Sequence, residues 1–481
     1  MHSNDTIAAI ATPSGRGGIG VVRVSGPSAG LIGEKISSST LQARHAQLCD
    51  FTDASGRTID RGIALYFVAP HSYTGEDVLE LQGHGNSFVL DELLQRTFEL
   101  GARPARPGEF TERAFLNDKI DLAQAEAIAD TISSNSRAAA RSAVASLVGR
   151  FSEKIDQLLD SLTQLRTYVE ATIDFPEEEL DLPNDDFVNK QLNETLANIQ
   201  SVLKQASAGN IIRDGLSVVI VGAPNAGKSS LLNRLSGEDI AIVSETAGTT
   251  RDMLRSDIEL GGIPLRLVDT AGLREASNEI EREGIRRAGE QVAKADIILF
   301  VKSADNRISN AKADDLLPPR DVIAEELARF GVELDNDSAV LLLYNKIDLF
   351  SQKPRQYQSS ELQQPLEDYK SAAVNTERYA AIGISALKDQ GIGLIAQTLQ
   401  EMFALQQDNE TTFTARQRHV DTLRNCQHAL VKAKEQLHAS GAAELFAEDL
   451  RSAQMQLAEI TGRFSSDDLL GEIFSSFCIG K

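Results

Sequence analysis

The apolar positions in the first 118 residues come in short runs rich in β-branched side chains, a pattern typical of strands. The runs are residues 7–11, 19–24, 62–68 and 78–81. After them, residues 87–100 carry apolar positions at helical spacing. This mixture predicts an α+β domain over residues 1–118.

Beyond this domain the apolar positions change to a spacing of three and four, which indicates helices with one buried face. Stripes of this kind occupy residues 122–132, 158–169, 420–437 and 450–460. A further helix is predicted over residues 188–206, and it is expected to end at Gly209. The tail carries Ile473, Phe474 and Phe477, so we expect it to pack against the rest of the chain.

A different pattern separates the two helical parts. The β-branched run at residues 216–221 leads into a glycine-rich loop and then a predicted helix, as a buried parallel strand does in an α/β domain. We predict a helical domain in two parts, 119–214 and 406–481, with an α/β domain at 215–405 inserted between them. The predicted fold class is multidomain, with α+β, all-α and α/β parts. Movements in the inserted domain would reach the helices through both connections.

The glycine-rich loop has the pattern of a phosphate-binding loop. Residues 222–229 match G-x-x-x-x-G-K-[ST] at every fixed position, directly after a strand and before a helix. In such a loop, backbone N–H groups and the helix N-terminus bind phosphate oxygens. Lys228 is expected to reach the β- and γ-phosphates, and the Ser229 hydroxyl is expected to bind Mg²⁺.

Four further motifs follow in the order that a GTPase needs. The GTTRD stretch supplies Thr250 as a second Mg²⁺ ligand, and Asp269 and Gly272 of DTAG face the metal and the γ-phosphate. Asp348 of NKID can accept hydrogen bonds from two guanine N–H groups that adenine lacks, and the SAL stretch closes the base pocket. The predicted GTP contacts are Asn225, Ala226, Gly227, Lys228, Ser229, Ser230, Ser244, Glu245, Thr246, Ala247, Gly248, Thr249, Thr250, Asp269, Thr270, Ala271, Gly272, Asn345, Lys346, Asp348, Ser385, Ala386 and Leu387. These motifs predict a Ras-like P-loop GTPase domain.

The residue after DTAG changes the expected mechanism. Ras-like enzymes have a glutamine there that orients the attacking water, whereas this chain has Leu273, which cannot form a hydrogen bond. Another group must orient the water, and another charge must stabilise the transition state. Asn225 is placed to bind a monovalent cation beside the phosphates. The acidic side chains that follow offer replacement carboxylates, although most are expected on a solvated helix face: Glu275, Glu279, Glu281 and Glu283.

Composition and charge narrow the functional classes. The 481-residue chain has a net charge of −22, so it has no general attraction for polyanions, and nucleic-acid contact needs a local basic patch. Cys49, Cys426 and Cys478 lie far apart, which suits a reducing cytosol. We expect no signal peptide and no membrane span, because no apolar run approaches about 18 residues.

Two further features favour a plain structural explanation. Residues 15–20 fit G-x-G-x-x-G, but strand formers follow them, whereas a dinucleotide-binding fingerprint requires a helix there. These glycines are expected to serve a turn or a close backbone approach. Cys478 has no neighbouring base in the sequence, and burial explains such a cysteine more often than catalysis does.

The combined pattern resembles the MnmE (TrmE) family of tRNA-modifying GTPases, which act on wobble uridines. The resemblance spans the whole chain, and no motif position departs from the family pattern. Its most specific segments are PGEFTERAFLNDK at 107–119, GTTRD at 248–252, DTAGLRE at 269–275 and FCIGK at 477–481.

The resemblance implies a folate site in an N-terminal domain that dimerises constitutively. The ligand would be a tetrahydrofolate derivative, 5-formyl- or methylene-tetrahydrofolate, and its contacts would be Arg23, Glu80, Lys119 and, from the C-terminal segment, Lys481. Cys478 matches the family's C-terminal cysteine, which the resemblance makes a candidate catalytic residue.

The resemblance also implies K⁺ in place of an arginine finger when two GTPase domains dimerise across their nucleotides. The K⁺ ligands would be Asn225, Ser244, Thr246 and Thr249. Glu281 would orient the attacking water through a bridging water, which answers the problem that Leu273 poses.

The implied partners are a second copy of the chain, tRNA and the FAD-dependent protein MnmG, in a heterotetramer or larger complex. The implied reaction adds an aminomethyl-type (carboxymethylaminomethyl) group to C5 of the wobble uridine. Two other classes remain open. One is a non-modifying GTPase switch in ribosome assembly, although this acidic chain shows no basic RNA-binding module. The other is a folate-dependent aminomethyltransferase-like enzyme with a regulatory GTPase. Neither explains the C-terminal FCIGK as well.

Overall fold

The computed structural model describes residues 5–134, 136–174, 185–235, 256–268, 295–304, 318–329, 332, 334, 338–350, 356–358, 378–403, 413–463, 467–475, 477 and 480. The chain divides into two units, each described here by itself. The first comprises Met1–Ser133, Ser146–Gln200 and Asp421–Lys481, and the second comprises Ser134–Ala145 and Ser201–Val420. The four domain limits expected from the sequence remain predictions.

The described residues form the following strands and helices, given in chain order. The strands are β1 (Ile7–Ile10), β2 (Gly17–Ser25), β3 (Gln47–Thr52), β4 (Thr58–Phe67), β5 (Val78–Gly85), β6 (Arg103–Pro104), β7 (Leu216–Val221), β8 (Ser256–Leu260), β9 (Ile263–Val268), β10 (Ile297–Ser303), β11 (Ala339–Asn345), β12 (Gln356–Gln358) and β13 (Tyr379–Gly383). The helices are α1 (Ala29–Ser37), α2 (Ser87–Glu99), α3 (Glu109–Leu116), α4 (Leu122–Ser133), α5 (Arg137–Leu147), α6 (Arg150–Asp174), α7 (Asp186–Asp214), α8 (Lys228–Leu235), α9 (Arg320–Ala328), α10 (Ile392–Met402), α11 (Gln417–Ser440), α12 (Ala443–Thr461) and α13 (Asp467–Ser475). Among the described helices, none is both long and apolar enough to cross a membrane.

The first unit contains a six-stranded sheet with the order β3-β4-β5-β2-β1-β6. Its neighbouring strands are antiparallel except for β1 and β6. Helices α1 and α2 pack on one face, over a core that includes Val22, Phe51 and Leu81. The strand runs and the helix expected in residues 1–118 are confirmed. Because β2 continues directly from the G-x-G-x-x-G stretch, the rejection of a dinucleotide-binding fingerprint is confirmed too.

Helix α3 covers the opposite face of β1. Ile7 and Ala9 pack with Ala105 and with Phe110 of α3, whereas Ala8 belongs to the core beneath α1 and α2. Neighbouring strand residues point to opposite faces, so β1 is buried on both of them. Helix α3 comes from the PGEFTERAFLNDK segment, and Phe110 and Thr111 in its first turn contribute to the polar cluster described below.

The helical part of the first unit buries the apolar stripes expected from the sequence. Leu158, Leu162, Leu165 and Val169 are buried on α6, and Leu450, Leu457 and Ile460 are buried on α12. The stripe on α4 is only partly buried, because Ile132 at its end is 46% exposed. The tail docks as expected: Ile473, Phe474 and Phe477 form a core with Leu122 and Ala125 of α4.

The second unit contains a seven-stranded sheet with the order β12-β13-β11-β10-β7-β9-β8. Its central strands are parallel, and only the outer strands β8 and β12 pair in the antiparallel direction. Val218 and Ile220 of β7 face one apolar core, and Val219 and Val221 face another. A strand that is buried on both faces explains the continuous apolar run at residues 216–221.

The predicted end of the helix at Gly209 is wrong. Helix α7 continues to Asp214, and Gly215, with φ +76°, follows its end. Gly209 instead allows a close contact inside the second unit, because a Cβ there would lie 2.0 Å from the Phe413 carbonyl oxygen. A glycine that admits a neighbouring backbone and a glycine that ends a helix look alike in one sequence, so the pattern did not distinguish them.

Candidate nucleotide-binding site and a second polar cluster

The loop between β7 and α8 depends on two glycines. Gly222 has φ +152° and Gly227 has φ +98°, a region that residues with a side chain rarely adopt. A Cβ on Gly222 would lie 2.1 Å from the Val301 carbonyl oxygen, and one on Gly227 would lie 2.1 Å from Asn345 Nδ2. The loop backbone is therefore packed directly against β10 and against the NKID motif.

Lys228, the first residue of α8, lies across this loop. Its Nζ donates to the carbonyl oxygens of Gly222 at 2.6 Å and Ala223 at 2.9 Å. Ser229 and Ser230 follow in the first turn of α8, and both residues are exposed. An ammonium group and free hydroxyls at a helix N-terminus fit the phosphates and the Mg²⁺ ion expected there.

Asn345, at the end of β11, joins the two halves of the site. It is only 2% exposed. Its Nδ2 donates to the Ala226 carbonyl oxygen at 3.0 Å, and its Oδ1 accepts from the N–H groups of Lys346 at 2.8 Å and Ala386 at 3.0 Å. One buried amide therefore connects the phosphate-binding loop with the segment expected to close the base pocket.

The other residues of the base motifs lie beside Asn345. Lys346, with φ +70°, donates from Nζ to the Asn225 carbonyl oxygen at 2.7 Å. Asp348 follows in the 3₁₀ helix Ile347–Phe350 and is half-buried. Ser385 is buried, whereas Leu387 is 80% exposed. The structure thus brings the loop, NKID and SAL residues together, as the sequence predicts.

Several predicted site residues lie outside the described residues. They are Ser244, Glu245, Thr246, Ala247, Gly248, Thr249, Thr250, Asp269, Thr270, Ala271, Gly272, Glu281, Cys478 and Lys481. The second Mg²⁺ ligand, three of the K⁺ ligands and the water-orienting carboxylate therefore stay predictions. Within the described part of the chain, no group of three or more His, Cys, Asp or Glu side chains is arranged to hold a metal ion.

Two of the residues predicted to bind folate, Arg23 and Glu80, form part of a second polar cluster, in the first unit. Arg23 donates to Glu80 Oε1 from Nε at 3.0 Å and from Nη2 at 2.9 Å. The Arg23 guanidinium also lies 5.2 Å from the ring centre of Tyr73 and 5.8 Å from that of Phe110, within cation–π range. Lys119 Nζ donates to the Pro70 carbonyl oxygen at 2.8 Å.

The sequence analysis did not assign Tyr73 and Phe110, the two aromatic residues of this cluster, to a site. Tyr73 shares a 2.8 Å hydrogen bond with the Thr111 hydroxyl. Burial raises the pKa of Tyr73, and the hydrogen bond to Thr111 and the charge of Arg23 oppose this only in part. Tyr73 therefore stays neutral and holds one side of the Arg23 guanidinium. Its position in a loop after β4 carries no periodic signal, so only the fold identifies it.

A buried ion network lies beside this cluster and was also missed. Glu109 binds Arg103 through both oxygens, at 2.9 and 2.6 Å, and binds Arg113 at 3.1 Å. Arg113 in turn binds Glu76 and Asp5, both at 2.9 Å or closer in their shortest contacts. Burial alone would raise the pKa of Glu109, but hydrogen bonds from Arg103, the Arg106 N–H and Arg113 lower it to about 2. The i,i+4 spacing of Glu109 and Arg113 on one helix could have indicated this ion pair from the sequence.

The C-terminal segment contacts both α3 and β1 through glycines. A Cβ on Gly108, which has φ +65°, would lie 2.6 Å from the Phe474 carbonyl oxygen. A Cβ on Gly480 would lie 2.3 Å from the Ile10 carbonyl oxygen. Gly108 and Gly480 therefore each lie where another backbone segment passes too closely to leave room for a side chain.

The parallel sheet, the G-x-x-x-x-G-K-S loop at the end of β7 and the NKID motif joined to it define a guanine-nucleotide-binding protein of the P-loop GTPase class. The family model described as MnmE helical domain matches residues 122–478, and the model described as GTP-binding protein TrmE N-terminus matches residues 6–119. The chain therefore belongs to the MnmE family.

Individual relatives agree with this assignment. A tRNA modification GTPase MnmE of Pseudomonas syringae pv. syringae (strain B728a) is 50% identical over 478 residues, 99% of each chain. One of Yersinia pseudotuberculosis serotype O:1b (strain IP 31758) is 47% identical over 482 residues, 100% of each chain. A GTP-binding protein from Sulfolobus solfataricus, solved with GDP, is 18% identical over 51% of this chain and 67% of its own, with a TM-score of 0.24, which is too weak a similarity to support any argument.

Proposed function

We propose that this chain is a K⁺-activated GTPase that modifies the wobble uridine of tRNA together with a FAD-dependent partner, MnmG. As a member of the MnmE family it is a GTP hydrolase that takes part in tRNA modification. The observation that carries the proposal is the buried Asn345 amide, which binds both the Ala226 carbonyl and the Ala386 N–H. A guanine nucleotide held there would contact the phosphate loop and the base loop at once.

The proposed metal sites use residues at the start of α8 and in the segments before and after it. Ser229 would bind Mg²⁺ with Thr250, and Mg²⁺ would neutralise charge on the β- and γ-phosphates. Asn225 would bind K⁺ with Ser244, Thr246 and Thr249, and K⁺ would supply the positive charge of an arginine finger. Asn225 supports this assignment because Lys346 holds its carbonyl while the residue itself stays exposed. Glu281 would orient the attacking water.

The inserted arrangement of the GTPase domain is part of the proposal. Residues 201–420 of the second unit lie in the sequence between the last two segments of the first unit. Helices α7 and α11 carry the chain into and out of this stretch. A change of nucleotide state in the GTPase domain would therefore act on a helical domain through two connections.

A homodimer through the N-terminal sheet is also proposed. Leu48 of β3 is 67% exposed and Ile63 of β4 is 37% exposed. The two residues are direct partners across the strand pair, so their side chains share one face of the sheet. An exposed apolar pair on a sheet face supports a protein contact there, and a second copy of the chain is the proposed partner.

The proposed folate site consists of Arg23, Glu80, Lys119 and Lys481. A guanidinium paired with a carboxylate offers donors and acceptors in one plane, which suits the edge of a pterin ring. Phe477 and Gly480 are both buried, so the positions on either side of Cys478 and Ile479 are anchored. This anchoring supports a functional part for Cys478 in the transfer of the one-carbon unit to tRNA.

GTP turnover in KCl and in NaCl at matched ionic strength tests the mechanism. We expect strong acceleration by K⁺ in the full-length protein and its loss in Asn225→Ala, with the affinity for mant-GDP retained. Lys302→Gln on β10, which removes an ion pair with Glu326 of α9, is the matched control and should keep the acceleration. Equal rates in both salts would rule out K⁺ as the missing charge.

A second experiment tests the modification itself. The full-length protein, MnmG, a tetrahydrofolate derivative and substrate tRNA are incubated, and the wobble uridine is analysed by mass spectrometry. Cys478→Ser should lose the product while keeping GTP turnover, and Cys49→Ser should keep both. A product that forms equally well with Cys478→Ser would remove this cysteine from the proposal.

A further inference from the structure

The loop between β13 and α10 is closed on itself by its own backbone. Ser385 donates from N–H to the Gln390 carbonyl oxygen at 2.9 Å, and Gln390 donates back to Ser385 at 3.0 Å. The Ser385 hydroxyl also accepts from the Lys388 N–H at 3.2 Å. Asn345 holds the beginning of this loop through the Ala386 N–H. These bonds leave the far side of the loop, around Asp389, to be held by something else.

Arg234 supplies that second anchor. Its Nε donates to Asp389 Oδ1 at 2.6 Å, and its Nη2 contacts Asp389 Oδ2, so the pair is bidentate. Asp389 has φ +56°, a left-handed conformation that costs energy in a residue with a side chain. The hydrogen bond from Arg234 lowers the pKa of Asp389, so the pair is ionised at neutral pH. The ion pair thus restrains a strained residue of the base loop.

Arg234 lies on the same helix as the lysine of the phosphate-binding loop. Helix α8 begins at Lys228, the residue of the phosphate-binding loop, and Arg234 lies in its last turn. Helix α8 therefore carries Lys228, which is expected to contact the phosphates, at its first residue, and Arg234, which binds the base loop at Asp389, in its last turn. The sequence motifs include neither Arg234 nor Asp389, because the two residues are far apart in the chain and meet only in the fold.

We propose that Arg234 and Asp389 are positioning residues of the guanine pocket, which hold the loop 385–390 against the base without touching the nucleotide. The inference rests on the proposed function in that it assumes a guanine nucleotide in this site. Side chains that are 40% and 50% exposed contribute little to stability as an ion pair, so the effect belongs to the loop position rather than to folding. The nucleotide should therefore leave faster when the pair is broken.

The test compares dissociation of mant-GDP from the full-length protein with Arg234→Gln, Asp389→Asn and the double variant. We expect each single variant to release mant-GDP about three- to fivefold faster, and the double variant no faster than either. The charge-exchanged variant R234D/D389R should recover part of the wild-type rate. In steady-state hydrolysis, KM should rise by a similar factor while kcat stays unchanged, which a general loss of structure would not produce.

The controls separate the possible failures. Lys302→Gln breaks another partly exposed ion pair in the same unit and should leave dissociation unchanged. Thermal midpoints of all variants should match the wild type. Wild-type protein that binds no mant-GDP would overturn the proposed function itself. Normal binding by the wild type with unchanged rates in the variants, or additive effects in the double variant, would overturn only the role of this pair.

Discussion

The two sheets of this chain use buried polar groups for different purposes. Beside the six-stranded sheet, the Glu109 and Arg113 side chains of α3 are 2% and 7% exposed, and they form ion pairs with each other, with Arg103 and with Glu76. In the seven-stranded sheet the central strands β7, β10 and β11 bury apolar side chains on both faces, and β11 ends at the buried polar residue Asn345. The first arrangement is complete within the protein, whereas the second leaves exposed serines and Asp348 beside it for a ligand.

This difference shows how a buried polar group indicates its role. A charge network with every member paired inside the fold stabilises one arrangement of strands and helices, at a desolvation cost that only good geometry offsets. An amide at the carboxyl end of a parallel strand stands where ligands bind in open α/β sheets. Breaking the first should therefore affect folding, and breaking the second should affect nucleotide affinity.

The largest effect is expected for Glu109→Gln. Loss of this carboxylate removes the bidentate partner of Arg103 and one of the carboxylates around the buried Arg113, which keeps Glu76 and Asp5, so residues 5–118 should lose about 3 kcal/mol of local stability. Hydrogen–deuterium exchange of the full-length protein measures this. Arg106→Ala removes a more exposed contact to the same carboxylate, 3.6 Å away, and should cost less than about 1 kcal/mol. Equal protection in both variants would contradict the network's importance.

Acid should act on the same group in the wild-type protein. The pKa of Glu109 is lowered from 4.5 to about 2, so its contribution is complete above pH 4.5 and is lost as the pH falls toward 2. The shift corresponds to about 3 kcal/mol. Urea unfolding followed by circular dichroism between pH 6 and pH 3 should show the loss, and Glu109→Gln should show a flatter dependence. Parallel pH curves for the two proteins would exclude Glu109 as the source.

Asn345→Ala tests the buried polar residue of the seven-stranded sheet. It removes three hydrogen bonds between the phosphate loop and the base loop but leaves the apolar sheet intact. We expect a 10- to 100-fold loss of mant-GDP affinity, about 1.4 to 2.7 kcal/mol, together with a lower thermal midpoint, because three backbone groups lose their buried partner. Leu349→Ala, at an exposed neighbouring position, should retain affinity. A variant that unfolds while its residual affinity stays normal would give Asn345 a purely structural role.

The smallest effect is expected for Gly209→Ala, inside the second unit. The added methyl group would lie 2.0 Å from the Phe413 carbonyl oxygen, so the backbones must separate at a cost of about 1–2 kcal/mol. Gly393→Ala on α10 meets nothing within 4 Å and should be neutral or stabilising by up to about 1 kcal/mol. Thermal unfolding measures both. Equal midpoints would mean that the Phe413 segment moves aside freely.

Much of the nucleotide site could be predicted from the sequence because its residues are grouped in short motifs. The loop at 222–229 and the NKID motif each combine the glycines, lysine, amide and carboxylate that the chemistry needs within a few residues. Strand and helix positions were predictable for a related reason, since apolar periodicity reports burial locally. The network of Asp5, Glu76, Arg103, Glu109 and Arg113 was not, because its members lie up to 108 residues apart.

The sequence alone is enough to place this protein in its class, because it carries the phosphate-binding loop motif, the NKID motif and the other motifs of the MnmE family. Those signals are local, and the physics behind them acts over a few residues. Three other features became visible in the fold: Gly209 admits a neighbouring backbone rather than ending a helix, Tyr73 contacts Arg23, and Arg234 binds Asp389. Each of these depends on which distant segments the fold brings within a few ångströms, and burial in that fold sets the strength of every such contact.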